Sequence, residues 1–233
     1  TSPLRGKRYR AEIEKIYVAL DYHSIMLDYR QYFFLNPTSI AFRLMHAGRH
    51  GKDAESDLIY PLSFAYPTLT RGNSLDNIQG YSDEETGEFS INQIFGSRIL
   101  VGNLEFRVPL SGPERLARIK SNIFFTDISV FVDGGVAWDS SSKPVWKQTA
   151  EAPDERIPLF STGLSLRLNL FGAMVLEGFY AFPWRGDHFE RGVFGLNFAP
   201  GWCGPRRAAR LNESSPAGVI MPSACITRTA PSP

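Results

Sequence analysis

Cysteine is missing from the first 202 of the 233 residues; the only two, Cys203 and Cys225, lie in the last 31. Two thiols make neither a disulfide scaffold nor a convincing metal site. An excess of one charge is missing too. The chain carries 25 Lys and Arg against 24 Asp and Glu, a net +1, so it has no electrostatic footprint for a nucleic-acid partner. Apolar runs stay far below the ~18 residues a transmembrane helix needs. That leaves spanning β-strands open, since these need only about 9–11 residues and alternate polar with apolar. No run of about ten residues has a helical period. An initiating Met and an apolar leader are also absent, so a processed protein or a fragment is expected.

Aromatics are plentiful, at 13% with 17 Phe and 9 Tyr, beside 20 Gly and 16 Pro. With 43% hydrophobic residues the chain can fold. The clearest local signal is period-2 alternation, which predicts half-buried strands. In Phe160–Phe171 the residues Leu164, Leu166, Leu168 and Leu170 share one parity; Gly163, Ser165, Arg167 and Asn169 share the other. In Arg98–Val108, Leu100, Gly102, Leu104, Phe106 and Val108 oppose Asn103, Glu105 and Arg107. In Asn122–Trp138, Phe124, Ile128, Val130, Val132, Val136 and Trp138 oppose Asp127, Ser129 and Asp133. Further on, Met174, Leu176, Tyr180, Phe182 and Trp184 oppose Glu177, and a last strand sets Phe194, Leu196, Phe198 and Trp202 opposite Gly195 and Asn197. Near the start, Arg8–Tyr17, His23–Phe34 and Ser39–Arg49 read as three more, about eight strands in all. Asn36-Pro37, Ser111-Gly112-Pro113 and Arg185-Gly186-Asp187 supply turns.

Two stretches break this rhythm. Residues 50–95 form a connection long enough to be functional or disordered. Residues 203–233 are rich in Pro, Ala, Ser and Arg and are expected to be a disordered tail.

Alternation alone leaves two architectures open. In a soluble sandwich the apolar face is the core; in a membrane barrel it meets lipid and the polar face lines the lumen. Strand length, aromatics at strand ends and mixed-sign charges on the polar face favour the barrel. Glu105, Arg107, Asp127, Arg167 and Glu177 are then lumen-facing charges.

Several motifs occur in a recognisable order: Thr70-Arg71-Gly72-Asn73 in the long loop, Gly102–Leu110, Phe131-Val132-Asp133-Gly134-Gly135, Phe179–Pro183 and a last strand ending Gly201-Trp202. Together they resemble the C-terminal half of the barrel of BamA/TamA-type outer-membrane proteins, the bacterial surface antigen family. The resemblance covers roughly residues 1–202. It implies an antiparallel transmembrane β-barrel meander, half of a sixteen-stranded barrel, in the bacterial outer membrane. The activity it implies is insertion or translocation of other proteins through a lateral seam. Outer-membrane lipid, unfolded outer-membrane clients and accessory assembly proteins would be its partners, with no cofactor and no catalytic residue. A passive pore, or an anchor for a domain outside this chain, is the alternative; a soluble lipid-binding barrel is a third reading. The resemblance also pairs the loop-anchor motif Arg71-Gly72 with Asp133, and makes Phe198 and Trp202 a C-terminal strand signal. Asn73 stands where the family has an aromatic.

Enzyme readings are weaker. Asp127 and Asp133 are six strand residues apart, about 20 Å, too far for joint acid–base chemistry. His46 and His50 share no helical face, and ordinary polar contacts are the expected role. Gly134-Gly135 suggests a bulge or crowding rather than a phosphate cradle.

Overall fold

The computed structural model describes residues 5–17, 19–74, 91–112, 119–120, 124–147, 152, 154–170, 174–185 and 188–200. Among them strand dominates and no α-helix occurs. The eight long strands are β1 (Gly6–Ile16), β2 (Tyr22–Leu35), β3 (Thr38–His50), β4 (Arg98–Gly112), β5 (Phe124–Trp138), β6 (Leu159–Leu170), β7 (Met174–Arg185) and β8 (Val193–Pro200). Each pairs antiparallel with the next in sequence. Short connections help to dictate this. Only Asn36 and Pro37 join β2 to β3, and only residues 171–173 join β6 to β7, whereas a parallel crossover needs a dozen residues or more. Strand β4 outruns its expected end at Val108, because its register slips between Pro109 and Ser111. Pro109 has no N–H to give a ladder, so the irregularity falls there. Pairing is continuous through Gly134-Gly135.

The two faces differ in chemistry. The outer face carries exposed Leu104, Phe106, Val130, Val132, Leu164 and Leu166. The inner face carries Asp28, Glu105, Arg107, Ser129, Asp133 and Ser165, all buried. It is not polar throughout, however. Towards the ends of β3 and β5, Met45, Ile99, Val101 and Ala137 make an apolar zone with Leu159. The long loop fills that zone with Phe64 and Ile94, both fully buried. Burying one such side chain is worth about 1.5–3 kcal/mol. Gly135 makes room for it, since a β-carbon there would lie 2.4 Å from the Phe64 ring. The loop is tied down further by pairing of Leu62–Ser63 with Phe95–Gly96. Glu55 accepts hydrogen bonds from the Ser97 hydroxyl and the Ser140 amide, both at 2.8 Å.

Among the described residues the sheet is not closed: β1 pairs only with β2 and β8 only with β7. The architecture is therefore a large all-β antiparallel sheet with two free edges, and no closed barrel is present among these residues. Trp202 and the tail 203–233 lie outside the described residues.

Candidate functional site

The sheet curls around a short piece of the long loop, residues 64–73. Arg43 on β3 donates to the Thr68 carbonyl at 3.3 Å, and Asn197 on β8 donates to the Pro67 carbonyl at 3.0 Å. Between them Asn103 on β4 donates to the Leu69 carbonyl at 2.7 Å, and the Ser161 hydroxyl on β6 donates to the Arg71 carbonyl.

Arg71 is at the centre and 4% exposed. Its Nε and Nη2 donate to the two oxygens of Asp133 at 2.8 and 2.9 Å, a bidentate pair. Its backbone N–H donates to the same carboxylate at 3.0 Å. Nη1 reaches Glu177 at 3.0 Å, and Nη2 reaches Glu105 at 2.8 Å. Beneath it lies the Phe131 ring, 3.7 Å from the guanidinium carbon. Strands β4 and β7 are three spacings apart, roughly 14 Å in a flat sheet. Glu105 and Glu177 nevertheless meet one guanidinium, so the arginine requires a strongly curved sheet.

Arg107 and Arg167 complete the cluster. Arg107 pairs with Glu105 at 2.6 Å, and Arg167 pairs with Glu177 at 2.9 Å and Glu105 at 3.6 Å. Three guanidinium groups thus face three carboxylates. Burial opposes the charge on Arg71, but its bonds to Asp133 and the charges of Glu105 and Glu177 outweigh this and raise its pKa above the ordinary value. The cluster holds Arg71 in one place. Asp127 lies in register opposite Arg167 on the same face, yet it joins no ion pair among the described residues. Phe198 is on the outer face opposite Leu176, remote in role from this site.

Some contributors had no role assigned to them by the motifs. Asn103 bonds Asp133 at 2.8 Å as well as the loop. Its inward parity was legible; its partner was not. Asp28 takes hydrogen bonds from Arg30 and Arg43, a second ion cluster on β2 and β3. A cavity of about 490 Å³ runs between the two clusters, lined by Arg43, Arg107, Arg167 and Asn197 together with Phe42 and Val175. No group of three or more His, Cys, Asp or Glu among the described residues is placed to hold a metal ion.

Gly72 sets the loop's path. Its φ is +83°, and a β-carbon would lie 2.7 Å from the Ala181 side chain. Gly72→Ala combines left-handed strain with overpacking and should destabilise by roughly 2–4 kcal/mol in a denaturant titration. An unchanged midpoint would mean the turn relaxes freely. Asn73 behaves differently. It is fully buried, and neither its Nδ2 nor its Oδ1 has a hydrogen-bond partner among the described residues. A buried amide left unpaired costs about 1–3 kcal/mol, so Asn73→Leu, which keeps the branched frame without the polar atoms, should raise stability by about 1 kcal/mol. A loss of stability in the same titration would show that the amide is partnered in solution.

No known family model matches the chain, and no curated protein matches it.

Proposed function

We propose that this chain is part of an outer-membrane β-barrel of the BamA/TamA type, which inserts or translocates proteins at the bacterial outer membrane. The observation that carries the reading is the inverted polarity of the sheet. Its open face is apolar, with Leu104, Val130, Leu164 and Leu166 exposed, while its ion pairs are enclosed on the other. Contiguous apolar surface on that scale marks an interaction face, and here it belts strands of 12–15 residues, long enough to cross a bilayer. Loop asymmetry adds support. One end of the sheet has the long connection 51–97, and the other has connections of two, eleven and three residues. The motif order gives the choice of family.

In this reading Arg71 and its carboxylates anchor the long loop inside the barrel. No bond is made or broken. The unpaired edge of β8 borders a seam where a client strand adds by main-chain pairing. The free edge of β1 takes further strands, because unpaired backbone is not tolerated in lipid. The alternative, a passive pore or an anchor, shares the barrel but not the client chemistry. Reconstitution in vesicles separates them: accelerated folding of an unfolded barrel client supports the proposal, and ion conductance without acceleration supports the alternative. Extraction without detergent would end both.

A further inference from the structure

A second set of polar residues sits where the outer face should be apolar. His23, His46 and His50 have outward parity on β2 and β3, and Arg98 and Trp138 have it on β4 and β5. In register His50 faces His23, Gly48 faces Arg98, and Arg98 faces Trp138, so four strand ends meet at the rim beside the long loop. They converge over Gly48. The point its β-carbon would occupy lies 3.1 Å from His50 Nε2, 3.2 Å from His46 Nε2 and 3.3 Å from Arg98 Cγ. The His46 ring stacks against Trp138 at 5.8 Å.

Asp21 lies near His23, but no carboxylate pairs with Arg98 among the described residues. The Nε of Arg98 is buried with no hydrogen-bond partner among them. The charged groups facing His50 are Arg98, His46 and His23. The nearby acids are engaged elsewhere: Asp21 by Lys15, and Asp139 by Arg156 and Ser141. His46 Nδ1 bonds the Ile99 carbonyl at 3.0 Å, and a carbonyl can only accept, so Nδ1 carries the proton. His46 Nε2 therefore donates only when the ring is an imidazolium.

Directly below, on the same face, is an apolar groove of about 240 Å³. Leu44, Leu100, Val132, Val136 and Phe160 line it, with Trp146 at the side. Gly102 lies on its floor, and the Phe160 ring covers Gly134, its partner in register. A β-carbon on Gly102 would meet nothing within 4 Å. A rim of one arginine and two imidazoles over an apolar trough matches an acyl chain bearing a phosphate.

We propose that one anionic phospholipid docks here, its phosphate on Arg98, His46 and His50 and an acyl chain over Gly102 beside the Phe160 ring. The site rests on the reading of this face as lipid-facing. The full chain in neutral detergent is titrated with short-chain phosphatidylglycerol, short-chain phosphatidylcholine and inorganic phosphate, and bound molecules are counted by native mass spectrometry. Phosphatidylglycerol should bind at least about tenfold more tightly than phosphatidylcholine. Arg98→Gln and His46→Gln should each weaken it about tenfold, the scale of one charge-assisted bond. Gly102→Leu, which fills the groove in open space away from the rim, should weaken phosphatidylglycerol equally and leave inorganic phosphate unaffected. Equal binding of the two lipids, or unaltered binding in Arg98→Gln and His46→Gln, overturns the proposal. Phosphatidylglycerol binding no tighter than inorganic phosphate overturns it as a lipid site. Failure to partition into vesicles would count against the membrane reading, whereas the titration in detergent reads the site itself.

Discussion

Replacing Arg71 with Met should cost about 3–5 kcal/mol of folding stability, the range for leaving a buried charge without its partner. Asp133 is 0% exposed and would lose both bonds of a bidentate pair along with its only guanidinium. Glu105 and Glu177 would keep Arg107 and Arg167. The damage should therefore centre on Asp133 and on the loop it holds. Hydrogen exchange over residues 62–73 should accelerate, since the anchored carbonyls of Leu69 and Arg71 belong to that segment. Asp133→Asn should be milder, about 1–3 kcal/mol, because a neutral amide oxygen still accepts from the guanidinium. The double variant is the decisive comparison. It leaves two carboxylates and two guanidinium groups, a balanced set, and should be no worse than Arg71→Met alone. Additive losses would mean that the two residues act separately, and the anchor reading would fail.

Leu166→Arg should cost roughly 2–4 kcal/mol when folding is measured in lipid vesicles, if the site lies near the bilayer midplane. Leu166 is 50% exposed near the middle of β6, flanked in register by Ile128 and Gly178. No charged side chain among the described residues shares this part of the outer face with it. The same exchange on a water-facing surface normally stays within about 0.5 kcal/mol. The two architectures therefore differ by more than the error of the titration. Ser165→Ala is a useful control. Its hydroxyl bonds that of Ser129 at 2.7 Å on the inner face, and its loss should act through that bond whatever surrounds the outer face. A near-zero cost for Leu166→Arg would mean that the face is solvated and the membrane proposal is wrong.

Strand identity and the sidedness of each strand were written locally. Parity at Leu164, Leu166, Arg167 and Asn169 depends only on a backbone that flips direction at each residue, so a list of residues suffices to assign faces. The short turns at Asn36-Pro37 and 171–173 likewise compel antiparallel neighbours. Parity also put Asp133 on the inner face, but could not choose among Arg71, Arg107 and Arg167 as its partner. That choice depends on sheet curvature, which sums small twists over eight strands and leaves no mark at any one residue. Curvature brings Glu105 and Glu177 to the same guanidinium across four strands. It also creates the inner apolar zone, where Phe64 and Ile94 reach Val101 and Ala137 from a loop with no alternation to read. The convergence of His46, His50 and Arg98 over a bare glycine is of the same kind: register aligns strands distant in sequence, and only the folded sheet decides which outward side chains become neighbours.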